Sequence, residues 1–340
     1  MPQSREVLSV SGLGGLVTVA LVVGGAALGH QAAPTFAAAA DAAHEAPPAR
    51  ADFDARWHDG RAEVDGYRLS VERYGAPRVG RGVLIYVTEP FNLSKHVKVD
   101  DPTRDAADTI DVLKLNLVRH FQTGVYDYST MVSLFTRSSD FAPVKISFTS
   151  AEWCGQIYEE LNFDGPHLAE RLSSYFENES SERTLDAPAG GIEEDDLFIL
   201  LRGLREEFLA PGQKRTVRFL ASPFYRRLTH QPLEWSTATI ERLGSPDKVR
   251  VPAGTFETWA YVVKPADGRE GRFDIERDDP HRVIRWTWAA PPSAGSGPAH
   301  FQGGTDRGEM TGSSRLQYWK LHDPGDEKTL DLLGLQPAVK

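Results

Sequence analysis

Cysteine is almost absent: Cys154 is the only one in 340 residues. No intrachain disulfide can form, so stability in an oxidising compartment must come from an apolar core. A chain of this length can bury one. Basic clusters are lacking too, with 38 Lys and Arg against 48 Asp and Glu for a net charge of -10. The sequence pI of about 5.5 excludes nucleic acid, which needs a basic footprint to displace counterions. The ten histidines are dispersed, with no H-E-x-x-H, no H-x-H and no cysteine pair, so no metal site is expected. No G-x-S-x-G elbow and no P-loop pattern occurs, which removes the commonest hydrolase and nucleotide signatures and leaves no cofactor implied. No repeat of fixed period is present.

What is present begins with an uncharged, largely apolar run from Val7 to Gly29, preceded by Arg5 and Glu6. It reads as a signal peptide, with small-x-small cleavage sites in Ala37 to Ala40 before Asp41. The run approaches the ~20 residues of a spanning helix, so an uncut anchor is the alternative. No cysteine lies near its end, which excludes a diacylglyceryl lipoprotein. The expected organisation is a signal or anchor over 1–40, a tether over 41–52 too rich in Ala and Pro to order itself, and a single β-rich body over 53–321. Two fused β units dividing near 190–212 are the alternative to one body, and 322–340 is a polar tail. The expected location is the periplasm or the periplasmic face of an envelope membrane, with membrane close by.

Period-two alternation fills the body and predicts strands with one buried face. Tyr67, Leu69 and Val71 alternate with polar residues, and Val83 to Val87, apolar on both faces, suits a central strand pairing with them. Leu113 to Leu117 and Tyr126 to Phe135 form a second hairpin, and Val144 to Phe148 another strand that can run on through Trp153 to Tyr158. Further strands fall at Leu168 to Phe176, Val217 to Phe219, Trp235 to Ile240, Phe256 to Val263, Phe273 to Ile275, Val283 to Trp288 and Ser314 to Leu321. Pro291 and Pro292 end the Val283 strand by Ala290 and open a loop through Gly304. One segment breaks the rule: Leu197, Leu200, Leu201, Leu204 and Phe208 are spaced for an amphipathic helix over about 193–208. Its four leading acids, Glu193 to Asp196, suit the positive end of a helix dipole. Paired carboxylates for a cation or for acid–base work are the other reading, and the helix start accounts for them without it. The fold class expected is mostly β: a large antiparallel curled sheet, barrel-like or a two-sheet sandwich, with this one helix plugging or flanking it.

Several blocks resemble an uncharacterised family of exported β-rich bacterial envelope proteins. They are Trp57-His58-Asp59-Gly60-Arg61-Ala62-Glu63, Val87-Thr88-Glu89-Pro90-Phe91, Val112-Leu113-Lys114-Leu115-Asn116 and Glu152-Trp153-Cys154-Gly155-Gln156. The Val251 to Phe256 turn and Asp279-Pro280-His281 look like those of broader families of periplasmic β proteins. The resemblance implies export and a largely antiparallel fold, and no activity, substrate or catalytic residue.

Among single residues, Cys154 could serve as a nucleophile if His120, His167 or His281 lay within reach. Free cysteine is among the most buried residue types, so core packing is the expectation. The Trp57 to Gly60 cluster reads as a turn with an aromatic anchor, since neighbours on a strand face opposite ways. Trp235, Trp259, Trp286, Trp288 and Trp319 fall late in the chain. The first four are candidates to line an apolar pocket, against the plainer reading that they fill the core. The function these readings favour is non-enzymatic binding of an apolar ligand, a lipid or acyl chain, in the sheet concavity. A cysteine-dependent hydrolase or transferase and an envelope scaffold whose sheet edge recruits partners are the alternatives.

Overall fold

The computed structural model describes residues 52–290 and 304–337. The expected signal run, nearly all of the tether and the loop after Ala290 lie outside the described residues. A short helix, α1 (Asp52–Trp57), precedes the first meander: β1 (Ala62–Arg73), β2 (Ala76–Asn92), β3 (Val97–Lys98), β4 (Thr109–Thr123), β5 (Tyr126–Arg137), β6 (Pro143–Glu152), β7 (Gly155–Asp164), β8 (His167–Ser174) and β9 (Ser181–Asp186). After residues 187–191 come β10 (Ile192–Glu193), α2 (Leu197–Leu200), β11 (Lys214–Leu220) and α3 (Pro223–Thr229). The second meander completes the chain with β12 (Trp235–Arg242), β13 (Asp247–Val251), β14 (Gly254–Pro265), β15 (Glu270–Glu276), β16 (Val283–Ala290) and β17 (Gly304–Leu316).

The seventeen strands among the described residues belong to one sheet, antiparallel at every pairing but β10–β11. The first strand pairs with the last, Ala62 opposite Leu316 and Ser70 opposite Arg307. The two meanders therefore meet at β1 and β17 and run outward to the edges β9 and β10. Since β3 pairs only with the end of β2 and β13 only with the first half of β14, fifteen strands lie across the width. Laid flat, they would hold β9 and β10 roughly 65–70 Å apart at ~4.8 Å per strand. Only residues 187–191 join those edges, and five residues reach at most about 20 Å. The sheet must therefore curl until its edges face each other across a seam. It does not close.

Inward-facing residues fill the concavity. Leu69 and Val71 of β1, Leu115 and Leu117 of β4, Ile146 and Phe148 of β6, and Leu168 and Leu172 of β8 share one buried cluster with Leu197, Phe198, Ile199 and Leu201 around α2 and Phe224 and Leu228 of α3. The segment from Ile192 to Leu209 and the α3 segment thus plug the interior. The expected helix over 193–208 is corrected here: a 3-10 turn over Glu194–Asp196 and one α turn over Leu197–Leu200 are all that form. Gly203 takes φ +59°, a left-handed conformation that ends a helix and that glycine enters without steric cost. The four acids do begin the helical turn, yet each is buried rather than facing water. The last strand ends at Leu316, and a 3-10 turn occupies Tyr318–Lys320, so the expected strand over 314–321 begins earlier and stops sooner.

Plug and wall are joined by buried ion pairs. Arg202 meets Glu63 of β1 at 2.6 Å, Glu194 meets Arg269 of the β14–β15 hairpin at 2.7 Å, and Arg226 of α3 meets Glu159 of β7 at 2.7 Å. Arg227 adds a 3.3 Å contact to the second Glu159 oxygen. Such pairs stabilise little against apolar replacements, but removing one partner strands a charge in the interior.

Outside, a 3-10 helix over Asp326–Leu333 packs Leu330, Leu333 and the following Leu335 against Val64, Val83 and Ile85. That cover explains why β2 is apolar on both faces. We expect Arg269→Met to lower unfolding free energy by about 3–5 kcal/mol, read from urea denaturation. Glu194→Leu placed with it should recover most of the loss.

Candidate functional site

The seam creates an open cavity of about 410 Å³ beneath the 187–191 link, walled by Phe163 of β7, Ile192 of β10, Leu200 of α2, Phe208 and Trp235, and by the charged Arg137, Asp140, Asp196, Glu206 and Arg215. Local geometry explains why these side chains converge. Gly191 lets the backbone lie against the Trp235 ring: a Cβ there would sit 2.9 Å from ring carbons and from the Pro188 carbonyl oxygen. Asp196 is fixed by a capping box, its Oδ2 accepting from the Glu193 amide at 2.9 Å while Glu193 accepts from the Asp195 amide at 2.8 Å. The other Asp196 oxygen, Oδ1, and the Trp235 indole nitrogen are shielded from water and have no protein partner. A buried acceptor and a buried donor left unmatched are costly, and both belong to residues lining this cavity.

Burial pushes the Asp196 carboxyl up to about 7, partly offset by the Glu193 amide and reinforced by Asp195. Asp195 rises to about 6 through burial, held back by Arg119 and by the Ser222 hydroxyl that donates to it at 2.7 Å. Glu193 lies well above its usual range because of burial and the three acids beside it. Near neutral pH, Asp196 can therefore offer a proton to a carbonyl or, ionised, accept from an amine or hydroxyl.

On the far side of the same turn, Glu194 faces a second cavity, with Arg119, Arg269, Tyr225, Trp288 and Asp306. It measures about 30 Å³, space for a water molecule or two. Burial raises Asp306 to about 6 against the Glu72 amide and Arg119, although part of Asp306 remains exposed.

The four candidate tryptophans do not share a site. Trp235 lines the seam cavity, Trp286 and Trp288 line the small one, and Trp259 lies under the Arg242 guanidinium at 4.2 Å. Cys154 is exposed, at the two-residue turn between β6 and β7, so the expected core packing is corrected: the alternation of β6 ends at Glu152, and the turn falls on Trp153-Cys154. His167 sits at the opposite end of β7, about 30 Å away at ~3.3 Å per residue. His281 lies at that opposite end too, in the β15–β16 connection, with Nδ1 3.2 Å from the Glu276 carbonyl oxygen. His120 is on the outward parity of β4, between buried Arg119 and Phe121; burial, then Arg81, lowers its pKa. The structure brings none of the three histidines together with Cys154 into a cleft. In the Trp57 cluster, His58 pairs with Asp111 at 2.9 Å while Asp59 binds Arg315 at 2.7 Å, so the adjacent pair is split.

Among the described residues no group of three or more His, Cys, Asp or Glu is arranged to hold a metal ion. Comparison with protein-family models, with curated proteins and with solved structures finds no match to this chain. The site residues that sequence reasoning missed are Phe163, Leu200, Phe208 and the inward-facing Asp196. Four consecutive acids leading an apolar segment were the available signal.

Two measurements follow from this geometry. Carboxyls whose folded pKa is raised bind protons more tightly when folded, so their contribution is complete below about pH 4 and is lost as pH climbs through 6 and 7. Below that range Glu160, held to about 2 despite burial by Lys145, Tyr158 and Asn162, works in the opposite sense. We therefore expect Tm to be highest near pH 5 and to fall toward pH 8, and Asp196→Asn to flatten that fall. The slope is on the order of 1.4 kcal/mol per pH unit for each such carboxyl forced to ionise. Separately, Cys154 should react fully with a thiol reagent in the native protein, without denaturant, at the rate of an exposed thiol.

Proposed function

We propose that this chain is a non-enzymatic envelope protein that holds an apolar ligand carrying one polar group in the seam cavity. The observation that carries the reading is a cavity lined by Phe163, Leu200, Phe208 and Trp235 together with the charged Arg137, Asp140, Glu206 and Arg215, and by Asp196, whose buried Oδ1 has no protein partner. Its volume of about 410 Å³ falls in the range of small-molecule sites, which combine apolar walls with a few placed polar groups. The rest of the concavity supports the seam as the place for such a ligand, because plug side chains and ion pairs occupy it. An acyl chain or comparable apolar body would lie along Phe163, Leu200 and Phe208, and a hydroxyl, amine or carbonyl would reach Asp196, and an acceptor the Trp235 nitrogen, once the ligand displaces the packing that closes both atoms to water. An exported location accords with the Val7 to Gly29 run and with a ligand of this chemistry.

Native mass spectrometry of protein purified from its own envelope should show a copurifying apolar molecule, and a fluorescent fatty-acid probe should bind one to one. Leu200→Trp fills the cavity and should weaken probe binding at least about tenfold with Tm little changed. Asp196→Asn should remove the pH dependence of binding near 7. An empty wild-type protein that ignores the probe, or equal binding by Leu200→Trp, would overturn the reading.

A further inference from the structure

Arg119 is a buried cation that the plug leaves unpaired. It stands on the inward parity of β4, 7% exposed, with its guanidinium 4.2 Å from the centre of the Phe224 ring. The other buried arginines, Arg73, Arg202, Arg226, Arg227, Arg242 and Arg269, each donate to a protein acceptor. Arg119 has no hydrogen bond or ion pair to any acceptor among the described residues. The carboxyls whose charge acts on it are Asp195, Asp306, Glu194 and Glu193, and each is engaged elsewhere. Glu194 takes Arg269 with both oxygens, at 3.2 and 2.7 Å. Asp195 accepts from the Ser222 hydroxyl, Asp306 from the Glu72 amide at 2.6 Å, and Glu193 from the Asp195 amide.

Arg119 lines the cavity of about 30 Å³ that lies among these groups. Its Nη1 is closed to water, whereas Nε and Nη2 are not. Those two nitrogens form the side-on edge of the guanidinium, the planar fork that matches the two oxygens of a carboxylate. The cavity offers about two water positions, which the two oxygens of a carboxylate can take. Waters would satisfy the N–H groups and leave the charge, and a charge buried without a partner is costly. An anion supplies acceptors and charge together. The surrounding acids do not supply that charge at mildly acid pH. Burial holds Asp195 and Asp306 up to about 6, against Arg119 and the Ser222 hydroxyl for the first and the Glu72 amide for the second, and Glu193 higher still. Glu194 and the exposed Asp267 are taken up by Arg269. Glu72, the acid beside Asp306, is raised by burial as well and faces Arg78. Arg226 near Asp195 and Arg307 in the cavity wall add positive charge.

We propose that this cavity is a binding site for a small oxyanion of the carboxylate class, formate in size, held side-on by the Nε and Nη2 N–H groups of Arg119. Ionisation of Asp195 and Asp306 opposes the bound anion, so occupancy falls as pH rises past 6. The site lies across the Glu193–Asp196 turn from the seam cavity and does not depend on what that cavity holds.

Isothermal titration of the full-length chain with sodium formate, at pH 5 and constant ionic strength, tests this. One site should appear with a Kd on the order of 1 mM, near the ceiling for a ligand of three heavy atoms. Tryptophan emission should change with it, because Trp286 and Trp288 line the cavity. Chloride, which lacks a second oxygen for the fork, and butyrate, which is too long for the cavity, should each bind at least about tenfold more weakly. Formate itself should bind at least about tenfold more weakly at pH 8. Arg119→Lys keeps the charge without the fork and should lose at least about tenfold in formate affinity. Arg119→Met should abolish the response with Tm unchanged or raised, since no protein acceptor is stranded. Leu200→Trp, which fills the seam cavity, should bind formate as the wild type does. The proposal is overturned if the wild type gives no saturable response to formate, the result for a cavity holding water alone. It is likewise overturned if chloride or butyrate binds as tightly, if affinity is the same at pH 8, if Arg119→Lys titrates as the wild type, or if Leu200→Trp loses the response. The wild-type and Arg119→Lys titrations decide the matter even where Arg119→Met fails to fold.

Discussion

Because only residues 187–191 separate β9 from β10, the two edges of a fifteen-strand sheet cannot part by more than about 20 Å, and most of the architecture is a response to that tether. A sheet of this width curled so far encloses more volume than its own side chains fill. The chain supplies the filling from the segments that flank β11, the strand next to the edge strand β10. The link, the plug and the cavity are therefore consequences of one another: the last sits where the tether holds the edges close but not paired.

The plug is unusual in how much charge it brings inside. Arg202, Glu194 and Arg226 each meet an opposite charge on a different part of the wall, with side chains at most 5% exposed. Apolar side chains could fill the same space with equal stability and less orientation, since oil-like contacts tolerate sliding. Ion pairs made to β1, to the β14–β15 hairpin and to β7 are directional, and together they fix the plug in rotation and depth. Asp196 is held by the same turn that carries Glu194, so the position of the cavity's polar group depends on the pairing behind it.

Much of the fold was legible in the sequence because alternation marks a half-buried strand wherever it occurs. The Leu113 to Leu117, Val144 to Phe148 and Trp235 to Ile240 patterns all became strands. β9, with five of six residues polar or charged, and the two-residue β3 and β10 offered no such alternation. The helix was over-read because leucines at steps of three and four fit a buried irregular segment as well as a helix, and Gly203 decided between them. The charged interior was written in the same alternation and passed over: Glu159 stands between Ile157 and Leu161, Glu170 between Leu168 and Leu172, and Arg119 between Leu117 and Phe121, all on inward parity. The cavity itself could not be read from one strand at a time, since its walls come from the β5–β6 connection, β7, β10, α2, β11 and the start of β12. Only the curl brings them together.

The pairing of β1 with β17 carries a consequence for how the molecule is made. More than 230 residues separate Ser70 from its partner Arg307, so a chain emerging from its N-terminus leaves one edge of β1 bare until nearly its whole length has appeared. Contacts this distant in sequence are slow to form, because the intervening chain must be ordered before they reward it. An exposed strand edge meanwhile invites pairing with another molecule. The N-terminal meander must therefore wait, folded on one side only, for a strand built last, and it is during that interval that the protein is most in need of a chaperone.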